Sequence, residues 1–197
     1  MPLSVYVTRR LPAAGLDLLG DACEHLEVHG ADTAPSRGEL RKKVKNRDGL
    51  LCLLSDRVDA EIMDAAGAQL RVIANYAVGY DNIDIEAASA RGIAVTNTPG
   101  VLTETTADLA WALLFSAARR VPEADRFIRS GDWQGWGPLQ MLGVEVTGQT
   151  LGVVGAGRIG SAMARKSAGF TMNAVYHGRH ERKKLEEELG ARRMELE

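Results

Sequence analysis

The hexapeptide GAGRIG, Gly155 to Gly160, follows directly on the apolar run Leu151-Gly152-Val153-Val154 and opens a stretch with helical spacing. Strand, glycine loop, helix is the order in which a parallel α/β sheet presents a phosphate-binding turn. Gly155 permits the tight turn, Gly157 lets backbone N–H groups close on an anion, and Gly160 lets the helix lie against its strand. The first N–H groups of such a helix lack intrahelical acceptors and sit at the positive end of its dipole, so a diphosphate is held there without a lysine. A bare glycine-rich turn between buried elements would show the same spacing. The context favours a dinucleotide site contacted by Gly155, Gly157, Arg158, Ile159 and Gly160.

The choice of dinucleotide is read at the end of the next strand, expected at Asn173 to His177. An NAD-specific domain places Asp or Glu there for the ribose hydroxyls. This chain reads Gly178-Arg179-His180 instead. No acid repels a 2′-phosphate, and the planar guanidinium of Arg179 offers it a fork of donors. NADP(H) is favoured and NAD(H) is possible, with Gly178, Arg179 and His180 completing the cofactor-binding set. After Gly160 the sequence accommodates a helix (Ser161 to Gly169), the strand, a second helix (about His180 to Gly190) and the start of a third strand at Arg193. A doubly wound cofactor domain has two βαβαβ halves, so the nicotinamide half is expected outside residues 1–197.

Upstream, β-rich runs at Ser4–Thr8, His25–His29, Gly49–Leu54, Arg71–Ala74 and Ile93–Thr96 alternate with helical patterns at Pro12–Leu19, Ser36–Val44, Asp59–Ala66 and Ile85–Ala90. Strict alternation implies a parallel sheet with right-handed crossovers, a flavodoxin-like first domain. Ser36 and Glu39 are placed as a capping box. The turn signal Thr98-Pro99-Gly100 sets the boundary, giving domains 1–98 and 99–197. The fold class is α/β: a flavodoxin-like domain followed by a truncated Rossmann-type NAD(P)-binding domain.

A long helical pattern runs from Thr103, read as an N-cap, to about Ser130, with Leu109, Ala110, Leu113, Leu114, Ala117 and Ala118 on one apolar stripe. Pro122 should kink or restart it, and Gly131 ends it. The loop that follows carries Trp133, Trp136, Pro138, Leu139, Met141 and Leu142, more apolar surface than an isolated loop leaves in water, so a partner subunit is expected to cover it. Formal net charge is −2, and no long basic run marks a nucleic-acid footprint. No segment approaches ~20 consecutive apolar residues, and Met1 to Val5 lack the flank of a secretory leader. A soluble, cytoplasmic protein binding neither nucleic acid nor membrane is expected. Cys23 and Cys52 lack metal-ligand spacing and read as reduced core residues, and no metal site is expected.

Four stretches, NYAVGYDNID (Asn75 to Asp84), VTNTPGVLTETTADLAWALL (Val95 to Leu114), the tryptophan loop and GAGRIG, together resemble the D-isomer-specific 2-hydroxyacid dehydrogenases, in particular their glyoxylate and hydroxypyruvate reductase branch. The resemblance implies a substrate domain first, a cofactor domain after it, and a dimer built by the long helix and its arm. It implies hydride transfer between a nicotinamide and the C2 carbon of a small 2-oxo acid, whose carboxylate is gripped by backbone N–H groups at Val78 and Gly79. Ser55-Asp56-Arg57 occupies the carboxyl edge of the sheet, where ligands gather, although solvation of Asp56 and Arg57 is an equal reading. Trp136 resembles a residue that reaches a neighbouring subunit's pocket, with plain interface packing an equal reading. The family's catalytic Arg, Glu and His come from later segments and are expected beyond residue 197, so no catalytic residue is assigned among the histidines present and the chain alone is expected to be inactive. The alternative function is a non-catalytic dinucleotide-binding or dimerising module.

Overall fold

The computed structural model describes residues 3–196. The chain forms two compact units, Met1–Val101 and Leu102–Glu197.

The first unit runs β1 (Ser4–Val7), α1 (Ala13–Ala22), β2 (His25–Val28), α2 (Arg37–Lys43), β3 (Gly49–Cys52), α3 (Ala60–Ala66), β4 (Val72–Asn75), α4 (Ile85–Ala90) and β5 (Ala94–Thr96). Its strands pair in parallel in the order β2-β1-β3-β4-β5, the flavodoxin-like order. Short apolar strands form the centre: Tyr6, Val7, Leu50, Cys52 and Ile73 are buried, and Leu40, Val44, Ile62 and Met63 from α2 and α3 seal them. Each such large side chain contributes roughly 1.5–3 kcal/mol by leaving water. Three helices start on short oxygen-bearing side chains that accept the third-residue N–H: Ser36 from Glu39, Asp59 from Ile62, Asp84 from Ala87. The expected Ser36 and Glu39 box is half made, because the Glu39 carboxylate lies 3.6 Å from His29 Nδ1. The core reading of Cys52 holds, whereas Cys23, just past α1, is partly exposed.

The second unit comprises α5 (Thr103–Ala118), α6 (Val121–Arg129), β6 (Thr150–Val154), α7 (Arg158–Lys166) with a 3-10 turn at Ser167–Phe170, β7 (Asn173–His177), α8 (Lys183–Leu189) and β8 (Arg192–Arg193). The parallel sheet β6-β7-β8 packs against α5 and α7 through Trp111, Phe115 and Phe170, whose ring centroids are 5.0–5.6 Å apart. Trp111 Nε1 also donates to the Met163 carbonyl at 3.0 Å. The helical pattern restarts at Pro122, one of the two outcomes expected there: two helices are separated at Arg120 in the left-handed conformation (φ 55°), with Pro122 in the first turn of the second. Leu102, not Thr103, occupies the N-cap position of α5, without a side-chain cap. The buried side of α5 is Ala107, Trp111, Leu114, Phe115 and Ala118, so Leu109 and Leu113 of the predicted stripe face outward and are exposed. Among the described residues no helix is long and apolar enough to cross a membrane.

Candidate functional site

Two groups of backbone donors stand out, one in each unit. In the second unit the chain leaves β6 through Gly155, whose φ of +92° suits glycine, and enters α7 at Gly157. A Cβ on Gly160 would overlap the Gly155 carbonyl oxygen and crowd Val153 Cγ1 at 3.0 Å, so the helix meets its strand only because that residue has none. A Cβ on Gly157 would meet nothing within 4 Å, so the approach to the loop is open. The first intrahelical bond at this end runs from Ser161 N to the Gly157 carbonyl, and no side chain caps the N–H groups of Arg158, Ile159 and Gly160. The helix begins three residues before the predicted Ser161, which brings those donors into its first turn. Uncapped N–H groups of this kind, at the positive end of a helix, are the chemistry that a diphosphate requires.

Beside this turn lies a cavity of about 490 Å³ lined by Gly157, Arg158, Ser161, Arg165, Arg182 and Lys183 among others. Arg165 is engaged by Glu188 at 2.6 Å. Gly178 abuts the loop, 3.9 Å from where its Cβ would stand to Ala156 N. Arg193 donates to the Gly178 carbonyl from Nε at 3.1 Å and from Nη2 at 2.8 Å. The Tyr176 hydroxyl donates to Glu186 and accepts from Arg182 N. The segment from Gly178 to Arg182 is thus pinned at both ends. Because α8 starts at Lys183 rather than at His180, Arg179 and His180 lie on this loop; both are exposed and neither lines the cavity. Arg182 and Lys183 do, and they were not singled out in the sequence. The basic run RHERKK, Arg179 to Lys184, was the available signal.

In the first unit the segment after β4 places Val78 and Gly79 at the carboxyl edge of the sheet. Three successive carbonyls are held inside the protein there: Ala77 by Thr98 N at 2.8 Å, Val78 by Asn97 Nδ2 at 2.7 Å, Gly79 by Asn75 Nδ2 at 2.8 Å. In a trans peptide the N–H points opposite to its carbonyl, so the N–H groups of Val78, Gly79 and Tyr80 are aimed away from those anchors. Among the described residues those of Val78 and Gly79 find no acceptor in the protein. A Cβ on Gly79 would stand 3.2 Å from Asp81 Oδ1, so one carboxylate lies beside the turn.

Asp56 is not the solvated charge that was equally open from sequence: it is 3% exposed and paired with the buried Arg9 at 3.0 Å. Its carboxylate also accepts from Thr8 Oγ1 and Leu53 N, while Arg9 donates to Ser55 Oγ. Arg57 points to solvent. Burial, with Asp56 adding, pushes the Cys52 thiol up to about 12, so that cysteine is unreactive in the fold. Trp136 is 85% and Leu139 82% exposed.

A family model described as D-isomer specific 2-hydroxyacid dehydrogenase, catalytic domain, matches residues 5–182. The chain is 51% identical over 194 residues to a glyoxylate reductase of Korarchaeum cryptofilum and 49% identical over 201 residues to one of Thermococcus litoralis, covering 98% and 100% of this chain. It spans 58% and 60% of the length of those relatives. A solved Polaromonas protein described as a D-isomer specific 2-hydroxyacid dehydrogenase superposes with a TM-score of 0.91 at 37% identity, over 98% of this chain and 60% of that one. A Thermus thermophilus protein gives 0.86 at 44% identity, over 98% and 65%.

Proposed function

The chain belongs to the D-isomer specific 2-hydroxyacid dehydrogenase family, and from that membership we propose that it is part of an NAD(P)-dependent oxidoreductase of glyoxylate or hydroxypyruvate reductase type. Its substrate is a small 2-oxo acid or the matching 2-hydroxy acid. The observation that carries this reading is the uncapped start of α7 behind Gly155 and Gly157. When bound, the nicotinamide coenzyme supplies or accepts the hydride. The N–H groups of Arg158, Ile159 and Gly160 hold its diphosphate, and the Arg158 guanidinium adds charge at the same anion. Arg179, with His180 and the cavity residues Arg182 and Lys183, favours NADP(H) over NAD(H). Val78 and Gly79 hold the substrate carboxylate through their free N–H groups, which orients the 2-oxo group without a side-chain charge. No residue between 3 and 196 is assigned the proton transfer.

The exposed apolar residues of α5 and the arm, Leu109, Leu113, Trp136 and Leu139, support a homodimer.

Calorimetric titration of the chain with NADPH and with NADH tests the coenzyme reading. NADPH is expected to bind at least about five-fold more tightly, and Arg179→Ala to remove most of that preference while leaving NADH affinity in place. Equal affinity for both coenzymes, unchanged in R179A, contradicts the preference. Binding of neither contradicts the site.

A further inference from the structure

We propose that Asn75 is a positioning residue of the carboxylate-binding turn, acting through the Gly79 carbonyl. The inference rests on the reading of Val78 and Gly79 given above and adds an anchor at the end of their turn: the peptide plane fixed through the Gly79 carbonyl carries the neighbouring Tyr80 N–H, while the Gly79 N–H lies in the plane that Asn97 fixes. Asn75 is 2% exposed at the end of β4, and its Nδ2 divides its donors between the Gly79 carbonyl at 2.8 Å and Asn82 Oδ1 at 3.0 Å. Asn82 is itself fixed, because its Nδ2 donates to the main-chain carbonyls of Leu53 at 3.1 Å and Asp56 at 3.0 Å. Those carbonyls belong to the segment that the Arg9–Asp56 ion pair locks in place. A chain of hydrogen bonds therefore runs from that buried ion pair to the turn.

The consequence follows from peptide geometry. With the Gly79 carbonyl drawn inward, the peptide plane between Gly79 and Tyr80 is set, and the preceding plane is set in the same way by Asn97 on the Val78 carbonyl. Both asparagines act on the carbonyl side of the turn, opposite the N–H groups, so the role inferred is positioning rather than ligation. What they supply is preorganisation: donors already turned outward need no rearrangement when an anion arrives. A buried asparagine is suited to this task because its amide carries a donor for Gly79 and an acceptor for Cys52 Sγ at 3.5 Å in one rigid plane.

The test is a ¹H–¹⁵N NMR titration of the whole chain with oxamate, an unreactive 2-oxo acid analogue, on the wild type, Asn75→Asp and Asn75→Ser. In N75D an acceptor replaces the donor facing the Gly79 carbonyl, and oxamate affinity is expected to fall about ten-fold or more near neutral pH. It should recover in part on acidification, when the new buried carboxyl takes up a proton and can again donate. N75S, which keeps a shorter hydroxyl donor, should fall between. The amide resonances of the first unit's core, Tyr6, Leu50 and Ile73 among them, should keep their wild-type dispersion in both variants, which separates lost positioning from lost fold.

In the wild type, the Asn75 side-chain amide resonances should move with oxamate, a readout that needs no variant to fold. Affinity within two-fold of wild type in N75D, an N75S affinity lower than that of N75D, or an Asn75 amide that stays still while Val78 and Gly79 move, overturns the positioning role alone. Wild-type Val78 and Gly79 amides that ignore oxamate overturn the carboxylate reading and this inference with it.

Discussion

At Gly160 the missing side chain is the structural fact. Alanine there would drive a methyl group into the Gly155 carbonyl, which is backbone and has little room to give. Gly160→Ala is expected to destabilise the second unit by about 2 kcal/mol through overpacking and to weaken coenzyme binding by displacing α7. Differential scanning calorimetry with and without NADPH measures both effects, and an unshifted melting profile contradicts them. The two cysteines give a second residue-scale check. Cys23 should react with a thiol reagent in the native protein while Cys52 reacts only on unfolding, since burial holds its thiol near 12. A folded-state pKa above the unfolded one means that this contribution is complete below the ordinary thiol range and is lost as pH rises from about 9 toward 12.

Glu27 behaves oppositely. Its carboxyl is held below the usual range, first by the hydrogen bond from Lys43 and then by Arg47, against a burial cost. Its contribution is therefore present above the ordinary carboxylate pKa and is lost as pH falls through about 4.5 and below. Thermal melts of E27Q should show a shallower loss of stability in acid than wild type, and the difference should shrink in high salt because the pair is partly solvated. An equal acid slope in the two proteins contradicts this.

At the scale of elements, the sequence reads well where local chemistry decides and less well where packing decides. The strand at Asn173–His177 and the helix at Ile85–Ala90 are found with their predicted bounds, because alternation and an Asp cap specify them locally. The face of α5 was misjudged because apolar residues ring that helix, and periodicity alone does not say which side meets Phe170. Trp111 decided it, through its aromatic contacts and its bond to the Met163 carbonyl. The outward Leu109 and Leu113 and the arm residues Trp136 and Leu139 remain exposed. If they form a dimer contact, Trp136→Ser together with Leu139→Ser should weaken association by at least about ten-fold in sedimentation equilibrium. An unchanged monomer–dimer constant removes the arm from the interface.

For the whole molecule, the glycine loop between β6 and α7 was legible from six letters because two of its glycines are demanded locally, by a positive φ at Gly155 and a close contact at Gly160. The buried network of Arg9, Asp56, Asn75 and Asn82 was not, since its members are scattered along the chain and only the fold brings them together. Asp56 in particular looks like any surface acid until Arg9 is placed against it. The alternation of strands and helices set the parallel sheets in advance, whereas the turn at Val78 and Gly79 acquired its meaning from a resemblance and its geometry from three anchored carbonyls.

On the proposed reading, backbone donors at the start of α7 receive the diphosphate of a nicotinamide coenzyme. Residue-resolved NMR of the folded chain titrated with NADPH tests it most directly. Saturable shifts centred on the amides of Gly155 to Gly160, with Gly178 and Arg179 following, are the expected result. Resonances at 155–160 that stay fixed while the rest of the spectrum reports a folded protein contradict it.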